Sequence, residues 1–328
     1  MTFNIQQRIS VAYYVIAYSL TAFSLLNFSF FLKFVNYSPI DYSILLGIPF
    51  VGRMLTPILY PISVRQLGMA RVLSISTAIS GLISVAEEFT VENFPVVLIE
   101  RFIIGVMFGL SLSSAVELAS FERSKTITGL TLSGWAIGFL IAALSYEILG
   151  KWMLLTGILA IPMIFIKGRR YGINTFSKIN LAFSLKGFIM SFLAFEPAYA
   201  LTLVPLMIND SFEESIIAYS IAIIAYIILP KVESYFKELV IAIGVLGAIS
   251  FLTLSVPIIS IFTALGLGFI SIIPSIAYKK GISPRDLGPS MNLASIGGLI
   301  FPTVIEIAHP NLTASILTIA LMLILASF

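Results

Sequence analysis

Cysteine is absent from the chain, so no disulfide, thiolate nucleophile or cysteine-ligated metal is available to it. Histidine occurs once, at His309, which rules out a histidine-cluster metal site. Aspartate occurs only at Asp41, Asp210 and Asp286, so the Asp-rich motif that an intramembrane lipid or prenyl transferase needs for its metal is missing. No glycine-rich phosphate loop is present, which argues against direct ATP drive. Charge is scarce as well, 11% of 328 residues against about 25% in an ordinary soluble domain. The formal net charge of +3 is small, and its distribution matters more than its sum. No metal, cofactor or nucleic-acid partner is expected.

What remains is apolar: 59% hydrophobic residues and a mean hydropathy of +1.05. A chain of this size needs lipid to cover that much apolar surface, so a polytopic membrane protein is expected. The first apolar segment, Ile9 to Leu32, is long enough to span, and no small-residue cleavage site follows it. Crossing the hydrocarbon takes about 20 apolar residues as helix. On that length the chain divides into twelve spans, roughly 9–33, 41–60, 69–86, 94–117, 127–147, 152–167, 185–208, 214–231, 238–255, 257–278, 287–306 and 310–328.

The positive-inside rule tests this division. With both termini in the cytoplasm, 15 of the 19 basic residues fall in inside segments, among them Arg65, Arg71, Arg123, Lys125, Lys279 and Lys280. The outside connections hold Lys33 and Lys151 and are otherwise acidic, with Asp41, Glu87, Glu88, Glu92, Glu147, Asp210, Glu213 and Glu214. A wrong number of spans would scramble this alternation. The longest inside connection divides the chain into an N-terminal bundle at 1–168, a cytoplasmic linker at 169–184 and a C-terminal bundle at 185–328. Two pairs of segments hint at duplication. Tyr60-Pro61 leaves span two as Leu229-Pro230 leaves span eight, and the Gly/Ser-rich starts of spans five and eleven, 129–138 and 290–298, correspond. The expected fold is therefore all-α, twelve transmembrane helices in two six-helix pseudo-repeat bundles around a central cavity.

Three stretches carry a resemblance to a known family. The connection Tyr60-Pro-Ile-Ser-Val-Arg-Gln-Leu-Gly-Met-Ala-Arg71 is similar to a degraded Gly-x-Leu-x-Asp-Arg-x-Gly-Arg-Arg loop, with Gly68 and Arg71 in place and the leading Gly and the Asp missing. Arg101-x-x-x-Gly105-x-x-x-Gly109 is similar to an arginine-bearing fourth span. Glu122-Arg123-Ser-Lys-Thr-Ile-Thr-Gly129, leading into Ser133-Gly-Trp-Ala-Ile-Gly138, is similar to the corresponding loop and fifth span of metabolite porters. In order and placement these resemble the major facilitator superfamily over nearly the whole chain. The resemblance implies a secondary active transporter in the plasma membrane that works by alternating access as a monomer. It gives Gly68, Arg71, Glu122 and Arg123 a role in gating, and Arg101 one in substrate or proton handling. The Gly-Pro pair of drug–proton antiporters is absent from span five.

Charges inside spans are the site candidates, because an arginine at the bilayer centre costs about 2.5–3.5 kcal/mol even on the lenient insertion scale. At about 1.5 Å per residue, Arg101 lies about 12 Å from the outside face and Glu196 about 15 Å from the inside face, nearly level in opposite halves. Arg53 lies about 10 Å from the inside face. Arg101 and Arg53 are candidate substrate-binding residues, since two buried guanidinium groups favour an anionic or polar metabolite. Asn27, Asn292 and Tyr18 are polar enough to line the same cavity, although each asparagine could equally bond helix to helix. Protons are the expected coupling ion, carried by a carboxylate that changes protonation state while buried. Glu196, beside the bend at Pro197, is the first candidate and Glu100 the second. Ion pairing that only holds helices together is the competing reading for all four charges. The competing functions are efflux of lipophilic compounds, an intramembrane enzyme, and a receptor without transport. Asn-x-Ser/Thr triplets at Asn36, Asn209 and Asn311 fall at outside ends.

Overall fold

The computed structural model describes residues 5–166, 181–200, 212–307 and 310–328. Most of the 169–184 linker, Asn209 and His309 lie outside the described residues. Every regular element among the described residues is helical. Helix α1 spans Ile5–Phe31, and a 3-10 turn at Leu32–Phe34 leads to α2, Pro39–Arg53. The Ser38 side chain and Asp41 close a capping box at the start of α2, which satisfies donors the first turn would otherwise orphan. Helix α3, Thr56–Leu67, continues α2 after a bend of 55°. Pro57 sits in its first turn, where proline's fixed φ is tolerated. The chain then reverses at Gly68, whose φ of 81° disfavours any residue with a Cβ, and enters α4, Met69–Thr90. Helix α5, Phe94–Phe121, begins on an Asn93 cap, and α6, Lys125–Leu132, on a Ser124 cap. Helix α7, Gly134–Leu149, is followed by a 3-10 helix at Gly150–Phe165.

The second part starts with α8, Leu185–Ala194, and the short α9, Glu196–Ala200, separated by a break at Phe195 ahead of Pro197. Then come α10, Phe212–Ile228, a 3-10 segment at Leu229–Tyr235 kinked at Val232, and α11, Phe236–Thr253. The chain closes with α12 (Val256–Phe269), α13 (Ile273–Lys279), α14 (Pro284–Ala294), α15 (Gly297–Ile307) and α16 (Pro310–Ser327).

Seven helical stretches among the described residues are long and apolar enough to cross a bilayer, and the bent pair α2–α3 makes an eighth. Large apolar side chains such as Ile148, Phe165, Ile224 and Leu323 point outward, an arrangement that water would not tolerate on this scale. The chain is a multi-pass, all-helical membrane protein. Small residues set its helix contacts, as expected where dispersion rather than hydrophobic burial drives association. A Cβ on Gly105 would run into the Pro49 backbone of α2, and one on Gly81 into the 3-10 helix at Gly157. Across the two parts of the chain, Gly288 of α14 meets Ser113 of α5, and Gly129 of α6 meets the Tyr226 carbonyl of α10. A packed seam of α5, α6 and α7 against α10 and α14 results.

Candidate functional site

A cavity of about 570 Å³ lies along that seam, with walls from both parts of the chain. Tyr18, Arg53, Phe108 and Trp135 come from the first part; Phe195, Tyr199, Tyr219 and Tyr226 come from the second. The aromatic rings of the wall are packed in pairs. Tyr219 stacks on Phe139 at 3.7 Å between centroids, Trp135 meets Phe108 edge-on at 5.5 Å, and Phe50 meets Tyr199 at 6.5 Å. The lining also includes Ser29 and Ser43, near the end of the molecule where α1 hands over to α2. Toward the opposite end the helices pack closely, Gly129 against Tyr226 and Gly288 against Ser113. Beyond them, Glu233 accepts from Lys125 Nζ at 2.5 Å and Lys279 Nζ at 2.8 Å, and also from Ser275.

Two charged side chains line the cavity, Arg53 and Arg101, and their surroundings differ. Arg53 is the last residue of α2 and 6% exposed. Its Nε donates to Asn292 Oδ1 at 3.2 Å, and its guanidinium lies 4.6 Å from the Phe108 ring centre and 5.8 Å from that of Phe50. Among the described residues no carboxylate forms an ion pair with it within 4.0 Å. Asn292 is itself anchored: its Nδ2 donates to Gly109 O at 2.8 Å, Ser113 Oγ at 3.0 Å and Gly288 O at 3.1 Å. The fork of Arg53 is thus held in place by neutral groups and carries an unneutralised charge.

Arg101 is 1% exposed and has an acid. Its NH1 lies 3.6 Å from Glu87 Oε1, its NH2 donates to the Leu25 carbonyl at 2.9 Å, and the Phe28 ring centre is 4.6 Å away. Glu87 is completely buried, whereas the sequence places it in an outside connection with Glu88 and Glu92. The cause is the length of α4, which continues to Thr90 and turns Glu87 inward. A signal for it exists: Ser76, Ser80, Ser84 and Glu87 recur at helical spacing and are all buried, a polar stripe inside an apolar span.

The remaining candidates are spread out. Tyr18 lines the cavity and Asn27 does not: Asn27 is buried and donates to Ser84 Oγ at 2.9 Å, tying α1 to α4. Glu196 is fully buried away from the cavity wall, accepting from Thr318 Oγ1 of α16 at 2.6 Å. Glu100, half-buried, accepts from Thr90 Oγ1 at 2.6 Å. Gly68 turns α3 into α4, and Arg71 bonds the Ile164 carbonyl. Glu122 and Arg123 form the turn between α5 and α6, with Arg123 at φ 49°. Glu117, near the inside end of span four, is buried and accepts from Tyr60 at 2.5 Å. No group of histidines, aspartates and glutamates among the described residues is arranged to hold a metal ion.

No family model matches the chain, and no curated protein matches it.

Proposed function

We propose that the chain is a secondary active transporter of the major facilitator type, moving a small anionic metabolite across the plasma membrane by alternating access. Arg53 carries this reading. A guanidinium that is buried, faces a cavity between the two parts of the chain and has no carboxylate within reach among the described residues is a poor structural element and a good anion site. A ligand carboxylate or phosphate would supply the missing charge through two parallel hydrogen bonds.

Twelve crossings fit the helices when the 41-residue stretch Lys125–Phe165 and the 42-residue stretch Phe212–Thr253 each cross twice, with α8–α9 and α14–α15 as one crossing apiece. The bundles are then 1–168 and 185–328, with the termini and the Lys125–Glu233–Lys279 cluster on the cytoplasmic side. In this reading the cavity serves the outward-facing half of the cycle, and that cluster is part of the inside gate with Gly68, Arg71, Glu122 and Arg123. Protons couple through Glu196, with Glu100 second.

The test starts from a thermal-shift screen of the purified chain across carboxylates, sugars, amino acids and phosphate esters. The solute that stabilises it is then followed, labelled, in counterflow across sealed vesicles. An anionic solute that exchanges with the native chain and not with Arg53→Ala supports the reading. Stabilisation by sugars alone, or exchange unaffected by Arg53→Ala, sinks the anion site. No exchange of any stabilising solute sinks transport.

A further inference from the structure

We infer that the cavity selects by valence, taking monoanions with an aromatic or apolar body and rejecting dianions, and that Glu87 is the residue that sets this limit. The inference rests on the anion site at Arg53 proposed above and adds the class of anion. Only Arg53 and Arg101 bring charge to the cavity wall among the described residues. Arg101 is already neutralised by Glu87 at 3.6 Å, and its second nitrogen is taken by the Leu25 carbonyl. The site therefore carries one net positive charge. A single carboxylate balances it, whereas a dianion leaves an unpaired negative charge between aromatic walls, which is costly.

The contact between Glu87 and Arg101 is electrostatic rather than hydrogen-bonded. Both carboxylate oxygens of Glu87, together with Nε and NH1 of Arg101, make no hydrogen bond in the structure. Removing the charge of Glu87 leaves those donors of Arg101 available to a second anionic group. The body of the ligand is set by Tyr18, Phe108, Trp135, Tyr199, Tyr219 and Tyr226, which line a space of about 570 Å³. Flat apolar groups stack well on such walls.

The experiment is calorimetry on the purified full chain with four probes on one skeleton. Phenylacetate has one charge, phenylmalonate has two, phenylmalonate monoamide has the larger size with one charge, and phenylacetamide has none. The expected order is phenylacetate and the monoamide together, with phenylmalonate and phenylacetamide each weaker by about tenfold or more. In Glu87→Gln the phenylmalonate-to-monoamide ratio should shift by about tenfold towards the dianion, because Arg101 is freed. Phenylmalonate binding as tightly as its monoamide to the native chain overturns the inference, as does an unchanged ratio in a folded Glu87→Gln. If Glu87→Gln does not fold, the native ratio decides. Failure of both monoanions to bind, or their equal binding to Arg53→Ala, sinks the anion site itself. That result is separate from a lost valence preference.

Discussion

Arg53 of α2 donates to Asn292 of α14 at 3.2 Å, a contact between residues 239 apart in the chain. Asn292 in turn donates to Gly109 of α5, so one amide ties the candidate anion site to the seam between the two parts. Replacing it by alanine leaves Arg53 Nε unsatisfied, at a cost of about 1–3 kcal/mol. Replacing it by aspartate has another effect: a carboxylate beside Arg53 cancels its charge. Asn292→Asp should weaken carboxylate binding by about tenfold or more and more than Asn292→Ala does. Calorimetry on both variants, with melting temperature as the stability control, checks this. Equal affinities in Asp and Ala variants would show that Arg53's net charge does not govern binding.

The Glu233 cluster gives a second test. Its lysines are 46% and 61% exposed at the side chain, so each ion pair contributes about 1 kcal/mol at most. Glu233→Ala removes both pairs and sets Lys125 and Lys279 facing each other. A shift of about 1 kcal/mol changes a two-state population about fivefold. The chain has no native cysteine, so a thiol placed at Leu132, in the cavity wall, reports without background. Leu132→Cys should be labelled about fivefold faster from the side that holds Lys125 once Glu233 is replaced. An unchanged rate would mean the cluster does not hold that end shut.

These two relationships differ in how visible they are from sequence. Arg53, Arg101 and Glu196 stand out because each interrupts an apolar run, and the penalty for doing so needs no structure to be recognised. Helix α5 at Phe94–Phe121 likewise covers the apolar run at 94–117, starting directly after its Asn93 cap and running on to Phe121. Which acid meets which base is another matter. Depth alone sets Arg101 level with Glu196, yet Arg101 is paired with Glu87 from the neighbouring α4, and Glu196 is bonded to Thr318. Glu87 is hidden among adjacent acids that read as a connection, because a helix end is decided by capping and tertiary packing more than by composition. The Arg53–Asn292 contact has no local signature at all, since it depends on how α2 and α14 meet.

Glu196 lends itself to a conservative test. Thr318 donates to one of its oxygens at 2.6 Å, a bond that glutamine can still accept. Glu196→Gln should therefore fold, with a melting temperature close to that of the native chain. If Glu196 carries the coupling proton, the variant keeps counterflow exchange and loses accumulation driven by a pH gradient. Accumulation at the native level with Gln at this position would pass the coupling role to Glu100.

The last prediction separates structure from binding at Arg101. Removing its side chain strands Glu87, which is completely buried, without the cation that compensates it. Breaking one side of such a pair costs about 3–5 kcal/mol, because the remaining charge has neither water nor partner. Replacing both members removes the stranded charge along with the attraction. Arg101→Ala should thus melt far below the native chain, and Arg101→Ala with Glu87→Ala should recover most of the loss. Arg101→Ala with Glu196→Ala should recover none, because Glu196 is bonded to Thr318 of α16 instead. Phenylacetate affinity should survive in the Arg101→Ala/Glu87→Ala double variant, since Arg53 and its neutral anchor are untouched. Rescue by Glu196→Ala would mean that the depth-based pairing governs the protein. Loss of phenylacetate binding in a stable Arg101→Ala/Glu87→Ala protein would place Arg101 in direct contact with the anion.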